Sequence, residues 1–363
     1  MLNSQLLKPL AKCLDANLAR LKCLSLLVEA VLRHRTVNLT ILATTEDGKN
    51  CTTQSRYRRF QDFFLKFALP LPAVSRFIVQ RIPKPRDGFV LAIDRTNWEF
   101  GHQSINILTI AVIIGKVSIL VMWKVLPKKS RGGNSNCKQR IALLRKLLTV
   151  LAAEDIHALT MDREFVGKPW LKWLDDQDIG YVVRVKKNTA VGWRDASDFA
   201  SLPGPRSAKR QDIFGMKLYF AGKRMKAGGR SSQLLVVSNR FQGRQALNLY
   251  RMRWGIERLF GHLKKKGFDL ETTHMTAPQK LEKLFAVVVL AFLLSFGWGC
   301  QLRDAQSKGG GAALSRRKSF FRLGLEDLLT LLQTWTSPPP GDPHLKAFKN
   351  WLNQPQFNSI FLV

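Results

Sequence analysis

Acidic side chains are scarce in this chain. Its 363 residues include 26 Asp and Glu against 58 Lys and Arg, a formal charge of +32, and the sequence pI is near 10.5. So lopsided a balance points to a polyanionic partner. Cysteine is sparse too. Cys13, Cys23, Cys51, Cys137 and Cys300 are odd in number, widely spread, and form neither a Cys-x-x-Cys pair nor a Cys/His cluster, which argues against a disulfide framework and a zinc site. Uncharged runs of membrane-spanning length are absent except at residues 284–300. A spanning helix needs about 20 residues, with about 17 as the lower edge. Because that single run directly follows a charged stretch, it reads as a buried core helix, and a membrane anchor is the less favoured alternative. Lys8, Lys12, Arg20 and Lys22 interrupt any signal-peptide core, so a cytoplasmic location and no membrane partner are expected. No internal repeat is evident.

Hydrophobic residues make up 45% of the chain, enough for a large core with two or more subdomains. Residues 1–85 read as a helical, basic domain, with 14 Lys or Arg against 5 Asp or Glu. Within 54–68, Tyr57, Phe60, Phe63, Phe64 and Phe67 recur at helical spacing, while Arg56, Arg58 and Arg59 lie mostly elsewhere on the helix surface. Those arginines are candidate DNA contacts, since phosphate-neutralising Arg supplies affinity; a merely solvated flank would look the same. Pro83-Lys84-Pro85 marks a boundary. After it come strand-like runs at 89–94, 105–114 and 117–126, with Gly115-Lys116 as a tight turn. A loop over 127–136, a helix through Ile141, Leu144 and Leu148, a strand ending near Asp162, a helix around 170–174 and a strand at 181–185 follow. Strands first in a meander, then alternating with helices, read as a mixed α/β sheet.

From 186 to 240 the pattern changes to short strands among basic turns, a β-rich insertion whose turns can reach a nucleic acid backbone. Residues 241–305 resume the core. Residues 306–363 read as a flexible linker with three consecutive glycines, followed by a C-terminal helical region with a break at 337–343.

The chemistry is concentrated in a few residues. Tyr250, Arg253, Glu257 and Lys264 fall at spacings of three, four and seven, and one α-helix turning about 100° per residue would gather them within roughly 60°. Such a face suits a divalent metal held against a phosphodiester, the carboxylate binding metal while the cations and the phenol hold phosphate oxygens; a solvated charged face is the alternative. Asp94 and Asp162 each follow an apolar run of strand length. Three carboxylates converging from three elements would hold two Mg2+ ions, for which Mn2+ can substitute. Glu164 is a weaker candidate that could instead face the positive end of the following helix. His102 and His262 are isolated, and isolated histidines are usually structural.

The ordered set Asp94, Asp162 and Tyr250-x2-Arg253-x3-Glu257-x6-Lys264 resembles the DDE transposases of bacterial insertion sequences, in particular the class named for insertion sequence four with its Y-R-E-K signature. The resemblance covers about residues 89–300, including Asp94-Arg95-Thr96-Asn97-Trp98 and Met161-Asp162-Arg163-Glu164-Phe165. It implies a ribonuclease-H-like core interrupted by a β-rich insertion, with Asp94, Asp162 and Glu257 as catalytic metal ligands. It implies cut-and-paste chemistry: nicking at each element end, attack of the freed 3′-hydroxyl on the opposite strand to give a hairpin end, and later transfer to target DNA. Tyr250, Arg253 and Lys264 would bind phosphates near the scissile bond, and Trp254 would stack on an extruded base unless it is a packed core residue. The implied partners are double-stranded DNA, as element ends and target, and a second copy of the chain in a synaptic dimer at the nucleoid. A structure-specific nuclease of the same fold, or a non-catalytic DNA-binding relic, are the alternatives left open.

Overall fold

The computed structural model describes residues 2–46, 51–101, 103–127, 133–199, 206–227, 230–308, 318–334 and 342–357. The linker at 306–319 and the break at 337–343 fall largely outside these residues, as do 128–132 of the expected loop at 127–136, and His102. In chain order the elements are α1 (Leu2–Ala11), α2 (Leu18–His34), α3 (Leu39–Leu42), α4 (Thr53–Lys66), α5 (Leu71–Arg81), then β1 (Phe89–Phe100), β2 (Gln103–Ile114) and β3 (Val117–Val125). Next come α6 (Cys137–Leu148), β4 (Ile156–Met161), α7 (Lys168–Asp176), β5 (Tyr181–Arg184), the short pair β6 (Ala190–Val191) and β7 (Arg194–Asp195), α8 (Ala196–Phe199), β8 (Arg206–Ile213), β9 (Met216–Ala227) and β10 (Arg230–Ser238). The chain closes with α9 (Gly243–Met252), α10 (Trp254–Gly261), α11 (Pro278–Lys308), α12 (Phe320–Thr334) and α13 (Pro343–Asn353).

Two compact units emerge. One holds Met1–Pro83, Trp98–Ile105 and Phe260–Val363; the other holds Lys84–Asn97 and Asn106–Leu259. The first is helical. Helix α4 starts under the cap of Thr52, whose side chain accepts from Ser55 N, one of the orphan donors of a helix start. It turns Phe60, Phe63 and Phe64 inward, as the helical spacing predicts. Residues 284–300 are buried throughout within α11, and 94% of its most apolar window is enclosed. Its rings continue into neighbouring helices: Phe292 stacks on Phe321 at 5.0 Å, and Trp298 meets Trp351 at 5.3 Å. This run is a core helix of its unit, because each ring finds aromatic partners rather than an outward-facing apolar surface.

The second unit is built on an eight-stranded sheet of order β3-β2-β1-β4-β5-β10-β9-β8. Strands β1, β4 and β5 are parallel to one another, while β2–β3, β5–β10, β10–β9 and β9–β8 are antiparallel. The β2–β3 hairpin closes at Gly115-Lys116, where Gly115 takes φ +57°, a conformation that only glycine adopts without steric cost. Strand β4 and most of β2 and β3 are buried, and such continuous apolar runs belong to strands covered on both faces. This is a ribonuclease-H-like mixed α/β core. The segment after β5 does more than protrude from it: β10 pairs with β5, so β10, β9 and β8 prolong the same sheet.

Candidate active site

The parallel register places the two aspartates. Ile93 of β1 is the partner of Met161 of β4, so Asp94 and Asp162 each follow one member of that pair. Two buried threonines tie the strands around β1: Thr109 Oγ1 donates to Asp94 O at 3.0 Å and Thr160 Oγ1 to Leu91 O at 2.9 Å. On the next strand Met161 is the partner of Val183, which sets Arg184 beside Asp162, Nη1 to Oδ1 at 3.9 Å.

Helix α9 brings the third contribution. Its Ala246, Leu247 and Leu249 pack in one cluster with Ala158, Val182, Ala221 and Val236 of the sheet, and Tyr250 is part of that cluster. The phenol therefore reaches the strand ends and donates to Asp162 Oδ1 at 3.1 Å. Burial, with the Asp162 charge beside it, raises the Tyr250 pKa, although Arg253 and Arg184 pull the other way. The phenol is thus a fixed neutral donor at ordinary pH.

Sequence periodicity predicts one helix carrying Tyr250, Arg253, Glu257 and Lys264; the structure breaks it. Helix α9 ends at Met252, Arg253 forms a turn, α10 runs from Trp254, and residues His262–Lys266 form a π-helical turn. A π-turn carries more residues per turn and alters the phase of whatever follows. Within the restart, Gly255 lies against β3, where an added Cβ would meet Ser118 Oγ at 2.7 Å and Val117 C at 3.2 Å. Only a glycine lets α10 sit that close.

Tyr250, Arg253 and Glu257 still converge with both aspartates. Arg253 Nη1 donates to Asp94 Oδ2 at 2.5 Å and Nη2 to Glu257 Oε1 at 2.9 Å. The Arg253 side chain is 8% exposed and that of Asp94 17%, whereas Glu257 is 42% exposed. Arg253 Nε is buried with no acceptor among the described residues. Burial pushes the Asp94 pKa up to about 6, against the pull of Arg253 and of the Arg95 backbone N–H, while Glu164 and Asp162 add to the rise. Desolvation therefore outweighs a direct ion pair here. Burial opposes the charge of Arg253, but Tyr250, Asp94 and Asp162 outweigh it and the Arg253 pKa is raised.

Lys264 belongs to the helical unit. There its Nζ is 2.9 Å from Glu271 and 5.6 Å from the ring centre of Trp98. His262 packs among aromatic rings in the same unit, 4.6 Å from Phe321. Trp254 is not a core tryptophan: it is 61% exposed. It lines a cavity of about 600 Å³ together with Arg184, Tyr250, Arg253, Glu257 and Arg258. In α4, Arg58 is exposed and Arg59 half-buried, whereas Arg56 is buried, its Nε donating to Ala43 O at 2.8 Å and its Nη1 to Cys51 O at 2.6 Å.

Sequence reasoning overlooked Arg184 and Arg95 as neighbours of the aspartates. Arg95 directly follows Asp94, and Arg184 ends the strand beside the one carrying Asp162. The adjacency of Arg95 to Asp94 in the chain was a signal for the first; Arg184, at the end of β5, is brought to Asp162 by strand pairing.

A mixed sheet of this order, opening at one end onto carboxylates, guanidinium groups and an exposed tryptophan, is the architecture of an enzyme that handles nucleic acid. The chain belongs to the transposase DDE domain family, which it matches over residues 86–294, more than half its length. It is a DNA-binding transposase of a family that cuts DNA with divalent metal ions. No curated protein matches it.

Proposed function

We propose that the protein is a cut-and-paste transposase of the insertion-sequence-four-like class, with Tyr250, Arg253, Glu257 and Lys264 as its Y-R-E-K signature and Asp94, Asp162 and Glu257 as the acids of the reaction. One observation carries this reading: Asp94 and Asp162 directly follow a shared register pair of two adjacent parallel strands, and Arg253 joins Asp94 to Glu257.

The donor set suits a divalent ion. All three acids supply oxygen, which hard Mg2+ prefers and Mn2+ accepts. Among the described residues no three His, Cys, Asp or Glu side chains are gathered as a ready cage; the Arg253 guanidinium stands between two of the acids instead. Burial raises the Asp94 pKa to about 6 despite that guanidinium, and a divalent cation held there would add positive charge beside the carboxylate. When bound, two such ions activate an attacking oxygen and stabilise the leaving one in phosphoryl transfer.

The remaining roles follow from the side chains. Released from the acids, Arg253 presents a planar fork to a phosphate, as Tyr250 presents its hydroxyl. Trp254, exposed beside them, offers a face to a base extruded from a hairpin end, and stacking of this kind is worth about 1–3 kcal/mol per base. Lys264, on the helical unit, is the fourth residue of the signature and by its charge a phosphate contact. Arg58 and Arg59 on the helical unit add sequence-independent affinity for duplex DNA. Joining two ends requires two active sites, so the working form is a homodimer on paired element ends.

The test is cleavage of a supercoiled plasmid carrying the DNA that flanks this gene, with Mg2+, comparing wild type with Asp94→Asn, Asp162→Asn and Glu257→Gln. Wild-type cutting at the element ends with hairpin products, lost in all three variants while DNA binding persists, supports the reading. Cutting of branched DNA without end joining favours a structure-specific nuclease. Binding without cutting by any form identifies a DNA-binding relic.

A further inference from the structure

A second ion pair lies beside the acids. Arg95 places Nε 2.6 Å from Glu164 Oε1 and Nη2 2.7 Å from Glu164 Oε2. The arrangement is a bidentate fork, the strongest and most directional form of an Arg–carboxylate contact. The two side chains are only 14% and 19% exposed. The other donors of Arg95 are also engaged: Nη1 reaches Asn106 Oδ1 at 3.2 Å and Gly133 O at 3.3 Å, and Nη2 reaches Asn134 Oδ1 at 3.0 Å. Glu164 is held from behind as well, its backbone oxygen accepting from Arg140 Nη2 at 2.8 Å while the Arg140 guanidinium lies over Phe165 at 4.9 Å.

The position of this pair gives it a task. The β1–β4 register is recorded to Ile93 and Met161, and the chain then continues into Asp94-Arg95 on one strand and Asp162-Arg163-Glu164 after the other. Beyond that point, two carboxylates that repel each other must keep one separation if a metal ion is to bridge them. Arg95 and Glu164 cross the same gap, one and two residues further on, with a contact whose geometry is fixed in two directions. The pair also occupies both oxygens of Glu164, a carboxylate near enough to Asp94 to act on its ionisation, so that this acid is engaged and does not compete for the ion.

We propose that Arg95 and Glu164 are positioning residues for the DNA-cutting site. Their fork sets the spacing of Asp94 and Asp162 and keeps Glu164 out of the metal's coordination shell. This rests on the assignment of Asp94 and Asp162 as metal-holding acids. A group that orients metal ligands typically matters 10- to 100-fold for metal affinity or activity when removed. Substituting lysine for Arg95 keeps the charge but loses the fork, so it should fall between wild type and full loss.

The experiment compares wild type, Glu164→Gln, Arg95→Lys and Asp94→Asn. Mn2+ affinity of the DNA-free full chain is read from the electron paramagnetic resonance of the free ion. The Mg2+ concentration for half-maximal cleavage of the flanking-DNA plasmid, and thermal unfolding in EDTA, are measured alongside. The expected result is a roughly 10- to 100-fold loss of Mn2+ affinity in Glu164→Gln, a smaller loss in Arg95→Lys, and a matching rise in the Mg2+ requirement of each. If both variants lower only the melting temperature and keep wild-type Mn2+ affinity and Mg2+ midpoint, the pair is merely structural and the proposal is overturned. If Asp94→Asn itself binds Mn2+ like wild type, the acid assignment fails and takes the proposal with it. Loss in Asp94→Asn with no change in the other two sinks the positioning role alone.

Discussion

Asp94 and Asp162 lie side by side, each directly after one member of the Ile93–Met161 register pair, the first within β1 and the second just past the end of β4. Neither aspartate stands alone: Asp94 holds Arg253 at 2.5 Å, and Asp162 accepts from Tyr250 at 3.1 Å. The spacing of like charges and the choice of counter-charges both bear on what the site does when perturbed.

Asp94 should cost stability at neutral pH. Its pKa in the folded chain, about 6, lies above the ordinary 3.8, so the folded state holds the proton more tightly than the unfolded state. Its contribution is therefore most favourable below about 4 and is lost as pH rises through about 6. The Asp94→Asn variant in EDTA is expected to melt higher than wild type at pH 7.5, by at most about 3 kcal/mol in stability, and the gain should vanish towards pH 4. Thermal unfolding across that range checks it; a variant less stable at pH 7.5 would show that the Arg253 pairing outweighs burial.

On the proposed assignment, Arg253 would compete with a metal ion for Asp94 and Glu257, which it pairs in the structure. Arg253→Gln is expected to bind Mn2+ about tenfold more tightly than wild type in the absence of DNA, equivalent to about 1.4 kcal/mol, yet to cleave DNA poorly because its phosphate contact is gone. Calorimetric titration with Mn2+, read beside plasmid cleavage, separates the two effects. Weaker Mn2+ binding would make Arg253 a scaffold for the acids instead of their rival.

Trp254 carries little of the fold, being 61% exposed. Trp254→Ala should leave the melting temperature within about 2 °C, since surface changes usually stay within ±0.5 kcal/mol. It should slow hairpin formation by roughly 5- to 150-fold, the range of one lost stacking contact. A 2-aminopurine base at the element end reports whether extrusion is lost, and an unchanged signal would remove Trp254 from the reaction.

Two neighbours on α4 should behave differently. Arg58 is exposed, so Arg58→Ala is expected to lower the slope of log affinity against log salt by about one without affecting stability. Arg56 donates to the carbonyls of Ala43 and Cys51 from a buried position. Removing it should cost about 1–3 kcal/mol through the unsatisfied acceptors and leave the salt slope unchanged. Fluorescence anisotropy over a salt series, with melting curves, distinguishes the pair.

Local patterning carried much of the architecture. Apolar runs of strand length marked β1, β2, β3, β4 and β5, and the phenylalanine spacing of α4 marked its inner face. What periodicity could not supply was long-range packing. The run from Tyr250 to Lys264 reads as one helix because its spacings are helical, but the approach of Gly255 to β3 and the seating of His262 among Phe292 and Phe321 decide where it breaks. Arg56 looked like a sibling of Arg58, yet it lies four and seven residues before Phe60 and Phe63 and shares their buried face, where the carbonyls of Ala43 and Cys51 take up its guanidinium. Arg184 went unnoticed for a related reason: its proximity to Asp162 is a property of strand pairing.

Strand β10 hydrogen-bonds to β5 and carries β9 and β8 with it, and this limits how the molecule can be trimmed. Excising the segment from β6 to β10 would strip the edge beside Arg184, leaving a row of bare amide and carbonyl groups ready to pair with any passing strand. A shortened version of this enzyme would therefore carry β5 as a new edge beside Arg184, and that edge would have to be covered or charged.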